Sequence, residues 1–235
     1  MRPMSEPLSY ELEGSVAVLR MDDGKANALS HDMIERIQKA LSRAESEAGA
    51  VALLGRPGRL SAGFDLSVMK SGPEATRALV TAGAELLLRL YEFPKPVVIG
   101  ATGHALAAGA LLLCAADTRI GAQGDFKIGL NEVAIGMVLP IFGVELARDR
   151  LSKRHFSQAV VQARIYDADG AVAAGYLDRA VLAEAVEEEV LAAAAALAQL
   201  PGAAYAGTKR SARAAVAQNI RDTLDEDMAR ITGGR

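Results

Sequence analysis

An α/β core followed by a helical C-terminal part is the fold class this sequence predicts. Three observations carry the expectation. Short apolar runs and longer amphipathic stretches follow one another as strand, strand, helix from Leu8 to about Pro140. Beyond Pro140 the chain becomes mostly helical in character, with one strand expected at residues 177–182. No stretch is long and polar enough to act as a linker. Residues 1–235 therefore read as one domain, with a core at about 6–182 and a C-terminal helical part at about 183–232.

Each element has its own signal. Residues 8–13 and 16–21 read as short strands on either side of Gly14. Ser30 is placed to cap a helix whose apolar residues Met33, Ile34, Ile37 and Leu41 recur at helical spacing. Residues 51–54 form a short buried strand, followed by a Gly/Pro loop. A helix is expected at about 73–92, ended by Pro94-Lys95-Pro96. A strand at 97–101 and a short helix at about 107–115 come next, then extended segments at 118–121 and 126–128. Residues 184–200 are rich in Ala, Leu and Glu and predict a strong helix. Pro201-Gly202 breaks it before a last helical section at about 203–230.

The composition limits what such a domain can do. With 26 basic and 29 acidic side chains the formal charge is −3, which lacks the basic excess of a nucleic-acid binder. One Cys excludes an intramolecular disulfide and any multi-thiolate metal site, and no metal-ligand spacing, P-loop or dinucleotide fingerprint is found. Aromatic residues are only 4%, so the core must be built from Ala, Leu, Val and Ile. The first residues carry no apolar run and the last ones no peroxisomal or prenylation pattern, which suggests a cytoplasmic protein. Residues 97–116 contain no charged side chain and could span a bilayer by length. Gly100, Gly103, His104 and Gly109 interrupt them, so a strand, a turn and a buried helix are expected, with no membrane association.

Chemistry is expected in four segments. Lys25-Ala26-Asn27-Ala28-Leu29 is the first, and Ser61-Ala62-Gly63-Phe64-Asp65-Leu66 the second. The third runs from Gly103 through Ala107 and Ala108 to Gly109. In the second and third, small residues let a ligand approach backbone N–H groups. The third also opens a helix, whose first N–H groups are unpaired and positive. Two such groups converging on one oxygen would make an oxyanion hole. The fourth segment, residues 128–137, holds Asn131 and Glu132 among mostly apolar neighbours. A carboxylate in apolar surroundings has a raised pKa and can accept and return a proton. A Glu at a strand end, exposed or hydrogen-bonded to a loop, is the plainer reading.

Order and spacing of the segments together resemble the crotonase (enoyl-CoA hydratase/isomerase) superfamily. The likeness covers roughly residues 13–181. It implies a ββα spiral core that binds an acyl-CoA thioester, with the thioester oxygen accepting from the backbone N–H groups of Phe64 and Ala108. It also implies that Lys25, Ala26 and Ala28 contact the CoA moiety. Ala62, Gly63, Asp65, Leu66, Ala107, Gly109 and Asn131 fall in the same binding segments. Coenzyme A would be part of the substrate, with no separate cofactor. Assembly as a homotrimer or a dimer of trimers through the C-terminal helices is implied as well.

Hydratases of that family use two glutamates. One matches Glu132; the other falls two residues after Gly109, where this chain has Leu111. A lone carboxylate can still move a proton between C2 and C4. The resemblance is therefore greatest to the single-glutamate branch, the Δ3,Δ2-enoyl-CoA isomerases. A 2-enoyl-CoA hydratase with one glutamate missing and a non-catalytic acyl-CoA-binding protein are the other readings. Phe64, Met69, Met137 and Phe142 are expected to bound the acyl pocket. His104, Asp65, Cys114 and Asp117 are expected to be structural, and Glu187, Glu188 and Glu189 a solvated helix face.

Overall fold

The computed structural model describes residues 6–232. Residues 1–5 and 233–235, on which most of the targeting expectation rests, lie outside them. Nine strands form two sheets. The chain opens with a hairpin, β1 (Leu8–Glu13) and β2 (Val16–Met21), turning at Gly14 with φ 58°. From there every strand pair is parallel. The large sheet continues through β3 (Ala50–Leu54), β5 (Val97–Ala101), β7 (Thr118–Ala122) and β9 (Arg179–Val181), in the order β1-β2-β3-β5-β7-β9. The small sheet is β4 (Gly58–Ser61), β6 (Gly103–Leu106) and β8 (Ile128–Gly129), in that order.

The connectivity is a spiral. Each turn gives one strand to each sheet and then a helix, as in β3, β4 and α3 (Pro73–Glu92), or β5, β6 and α4 (Ala108–Ala115). A short helix, α2 (Leu66–Met69), sits before α3, and α1 (His31–Glu47) joins β2 to β3. The Ser30 hydroxyl accepts from the Met33 N–H as the predicted N-cap of α1. This is the ββα spiral that the resemblance implies.

Sheets buried on both faces explain the continuous apolar strands. Val51, Leu53, Val97 and Ile99 point into the main core beside α1, α3 and α4. Ala50, Ala52, Leu54 and Val98 point to the other face, against Val186, Val190 and Ala194 of α8 (Val186–Leu197). Gly100 lets α8 lie close: a Cβ there would stand 2.4 Å from Leu54 Cδ2 and 3.0 Å from Val190 Cγ2. The last helix, α9 (Gly202–Thr232), runs along α3 and α5 (Ile141–Arg150). Two further helices, α6 (Lys153–Val160) and α7 (Ala168–Ala174), complete the fold.

Three expectations need correction. The Gly/Pro loop after β3 contains β4, and the turn around His104 is β6. Both strands are four residues long and glycine-bearing, too short for an alternating signal. Residues 183–185 form a 3₁₀ turn, so α8 starts later than the composition suggests. Residues 97–116 are strand, strand and buried helix, and among the described residues no single helix is long and apolar enough to cross a membrane.

Candidate active site

Backbone hydrogen bonds join the four segments into one unit. Asp23 organises the first: its Oδ1 accepts from the N–H of Lys25 at 2.7 Å and Asn27 at 2.9 Å, and its Oδ2 from Ala28 at 3.3 Å. Asn27 is fully buried with φ 48°, and its Nδ2 donates to the Met21 carbonyl at 2.9 Å. Asn tolerates this left-handed conformation better than other side-chain-bearing residues. The loop so fixed pairs with the second segment. Ala62 N–H donates to Ala26 at 3.0 Å, Leu29 N–H to Gly63 at 2.8 Å, and Asp65 N–H to Leu29 at 3.3 Å.

This pairing decides where Phe64 points. Gly63 and Asp65 bond back to Leu29, so the N–H of Phe64 between them faces the opposite side. Its ring lies on α3: a Cβ at Gly83 would come within 2.1 Å of it. The third segment abuts the second just as closely. A Cβ on Gly63 (φ 95°) would stand 2.8 Å from Ala107 Cβ and 3.2 Å from Ala108 N, and one on Gly109 only 2.3 Å from the Ser61 carbonyl. Ala107 has φ 51° and ψ −126°, a conformation that L residues rarely adopt and that marks stored strain. Its own N–H donates to Gly129 at 3.0 Å. Ala108 is the first residue of α4, which has no side-chain cap. Among the described residues, neither the Phe64 nor the Ala108 N–H donates to a protein acceptor. Two unpaired donors thus lie on segments in close contact.

The bond from Ala107 to Gly129 ties this pair to the fourth segment. Glu132 follows β8 and precedes a 3₁₀ turn, Val133–Ile135. It is 8% exposed, and its Oε2 is buried without a hydrogen-bond partner. Burial pushes its carboxyl up from 4.5 to about 7, and no neighbouring charge contributes. An exposed Glu at this strand end is therefore excluded. Asn131 Oδ1 is also buried without a partner. Lys25 is exposed and helps, with the larger effect of Ser67, to hold the Asp65 carboxyl below its ordinary value.

Between α2 and the 136–141 segment opens a cavity of about 780 Å³, lined among others by Leu66, Met69, Met137, Val138, Leu139 and Ile141, while Phe64, Ala108 and Glu132 do not line it. Met69 and Met137 bound it as expected. Phe64 and Phe142 do not: the first packs on α3, and the second is 1% exposed in the core. Leu111 is buried, its Cδ1 3.2 Å from where a Cβ on Gly143 would be, beside the cavity-lining Leu139.

The demoted residues have structural partners. His104 Nδ1 accepts from the Lys127 N–H at 2.9 Å, and Asp65 Oδ1 caps α2 through the Ser67 N–H at 2.8 Å. Cys114 is buried. Glu187 and Glu189 are not merely solvated, since they pair with Arg20 at 2.6 Å and Arg179 at 2.7 Å. Among the described residues no group of three or more His, Cys, Asp or Glu could hold a metal ion.

Sequence reasoning missed Asp23, which shapes the first loop, and Asp227 and Arg230, which wall the cavity from α9. Asp23 has a readable signal, an Asp followed by Gly and Asn in a turn. Asp227 has none: it sits in a charged helix, and only folding brings its Oδ2 within 2.6 Å of the Ile141 N–H.

Residues 11–231 match the family described as enoyl-CoA hydratase/isomerase. Among solved structures, an enoyl-CoA hydratase/isomerase family protein from Pseudomonas syringae is 42% identical, with TM-score 0.95 over 97% of this chain and 100% of that one. Human mitochondrial Δ3-Δ2-enoyl-CoA isomerase is 27% identical, with TM-score 0.93 over 97% of this chain and 91% of that one. A probable enoyl-CoA hydratase of Bacillus subtilis (strain 168) is 33% identical over 142 residues, which are 59% of this chain and 55% of that protein. The names of the relatives include both hydratase and isomerase.

Proposed function

The chain belongs to the enoyl-CoA hydratase/isomerase family, and from that premise we propose that it is a Δ3,Δ2-enoyl-CoA isomerase using Glu132 as both base and acid. The observation that carries this choice is the burial of Glu132: desolvation raises its carboxyl to about 7 against the opposing bond from its own backbone N–H, and no second carboxylate contributes. Leu111 stands where the resemblance puts the second glutamate of hydratases, and it supplies only apolar packing.

In this reading the thioester oxygen accepts from the N–H groups of Phe64 and Ala108. Glu132 takes a proton from C2, and the electron pair of that C–H bond spreads over the thioester as a dienolate. The same proton returns to C4, leaving the double bond between C2 and C3. Backbone donors stabilise the dienolate, each worth about 3–4 kcal/mol. A carboxyl with pKa about 7 loses and regains a proton with little penalty near neutral pH. The apolar cavity beside Leu66, Met69 and Met137 would take the acyl chain, and exposed Lys25 and the 25–28 loop the CoA moiety.

The purified protein is tested separately on a 3-enoyl-CoA and a 2-enoyl-CoA. Conjugated 2-enoyl product from the first, reduced about 10²–10⁴-fold in Glu132→Gln, is the expected result. Because the ionised form is the base, kcat/KM should rise with pH through about 7. Faster formation of 3-hydroxyacyl-CoA from the second substrate would overturn the proposal in favour of a hydratase. Tight binding with neither turnover would overturn it in favour of a binding protein.

A further inference from the structure

The cavity wall opposite α2 has little internal support. Residues 136–140 follow the 3₁₀ turn after Glu132 and lead into α5 without regular structure. Val138 is 80% exposed, and among the described residues neither its N–H nor that of Leu139 donates to a protein acceptor. The segment is therefore placed by its two ends. At the first, the Met137 N–H donates to the Glu132 carbonyl at 2.9 Å, which couples the wall to the Glu132 loop. At the second, the Ile141 N–H donates to Asp227 Oδ2 at 2.6 Å, across 86 positions of sequence.

Helix α5 needs that acceptor. Pro140 precedes it and offers no side-chain cap. A carboxylate at this end satisfies an otherwise unpaired N–H and meets the positive end of the helix dipole. Asp227 is 4% exposed, so water competes little for the bond. The first turn of α5 in turn holds the wall: a Cβ on Gly143 would stand 3.0 Å from Leu139 Cδ1 and 3.2 Å from Leu111 Cδ1. Leu139, Ile141 and Asp227 all line the cavity. The earlier turns of α9 have anchors of their own. Lys209 and Arg213 pair with Asp117 at 2.6 and 2.8 Å, and Arg221 pairs with Glu92. Loss of the Asp227 carboxylate therefore loosens the start of α5 and the last turns of α9, and leaves the rest of α9 docked.

We propose that Asp227 is a positioning residue that sets acyl-chain selectivity: by capping α5 from α9 it holds the 137–141 wall against the far part of a long, apolar acyl chain. This rests on the reading that the cavity takes the acyl chain. Phe64 and Ala108, proposed to hold the thioester oxygen, do not line the cavity. A short acyl group therefore draws little of its binding from the wall, and each further buried methylene draws more. Met137, Val138, Leu139 and Ile141 face Leu66 and Met69 across an apolar space that suits such a chain. A loosened wall costs a long chain more than a short one.

The test measures binding of hexanoyl-CoA and decanoyl-CoA by calorimetry; both are saturated, so neither isomerase nor hydratase chemistry acts on them. The wild type should prefer decanoyl-CoA. Asp227→Ala should reduce that preference about fivefold, the equivalent of a lost helix cap. Asp227→Asn keeps an acceptor oxygen for the Ile141 N–H and should restore most of it. Ile141→Pro removes the donor while suiting the first position of a helix; it should reduce the preference likewise, and it keeps the test available if Asp227→Ala does not fold. Equal weakening of both ligands in Asp227→Ala, or no change in either, overturns the proposal, as does an Asp227→Asn variant that behaves like Asp227→Ala. A wild type that binds neither ligand overturns the acyl-chain reading of the cavity and this inference with it. A protein that proves to be a hydratase leaves the measurement readable, so the failures are told apart.

Discussion

At the C-terminal end of α4 the Ala116 carbonyl accepts from Arg150 at 2.6 Å and Arg213 at 3.4 Å. Beside it the Asp117 carboxylate takes the Val97 N–H at 2.7 Å, Lys209 at 2.6 Å and Arg213 at 2.8 Å. At the N-terminal end, Ala107 is held at φ 51°, the Ala108 N–H is unpaired, and the nearby loop carries Glu132 with a partnerless oxygen. Both ends hold a carboxylate largely withdrawn from solvent, Asp117 half-buried and Glu132 buried. One is surrounded by donors and cations that tie the end of α4 to β5 and α9. The other is desolvated, which raises its pKa to about 7 and lets it exchange a proton near neutral pH. Satisfied groups stabilise a fold, whereas unsatisfied ones are a reservoir of reactivity that the rest of the fold must support.

The largest way to break this contrast is Asp117→Asn. It leaves Lys209 and Arg213 buried without their counter-charge, and the expected loss is about 3–5 kcal/mol of folding stability. Denaturant unfolding measures it, while turnover per folded molecule should stay within about twofold at low temperature. A rate loss without a stability loss would show that the two ends are not separate in purpose.

Glu132→Gln should act in the opposite sense. The Glu132 pKa is higher in the folded state than its ordinary 4.5, so its protonated form favours folding and that contribution is lost as pH rises through about 7. The variant removes the buried charge, and at pH about 8 it should be more stable than the wild type by about 3 kcal/mol, the equivalent of the shift from 4.5 to about 7. The gain should fade toward pH about 4.5. Unfolding curves at both pH values decide it, and a gain independent of pH would contradict the burial account.

The smallest effect is expected from Ala107→Gly. Glycine adopts φ 51° without strain but adds chain entropy to the unfolded state, so a net gain of about 1 kcal/mol is expected. A few-fold slower turnover should accompany it, since the adjoining Ala108 N–H would be less firmly aimed. Loss of stability would mean that Ala107 is not strained.

How much of this was legible in advance follows from particular residues. The hairpin, α1 with its Ser30 cap and α3 between Pro73 and Glu92 were readable because periodicity, caps and proline breaks act over neighbouring positions. Strands β4 and β6 were not, because four glycine-bearing residues hold too little pattern and are extended only through pairing with one another, and the extended segment expected at 126–128 meets β8 only at Ile128. Family membership was likewise carried by the order of short segments along the chain.

By itself, then, the sequence determined the α/β spiral, the position of the site segments and the aliphatic exchange at Leu111. Only the tertiary structure decided that Glu132 is buried with its Oε2 unpartnered, that Phe64 turns its ring onto Gly83, and that Asp227 comes from a distant helix to the cavity. The reason is physical. Propensity and capping act between residues a few positions apart, whereas desolvation and the loss or gain of a hydrogen bond depend on everything packed around an atom.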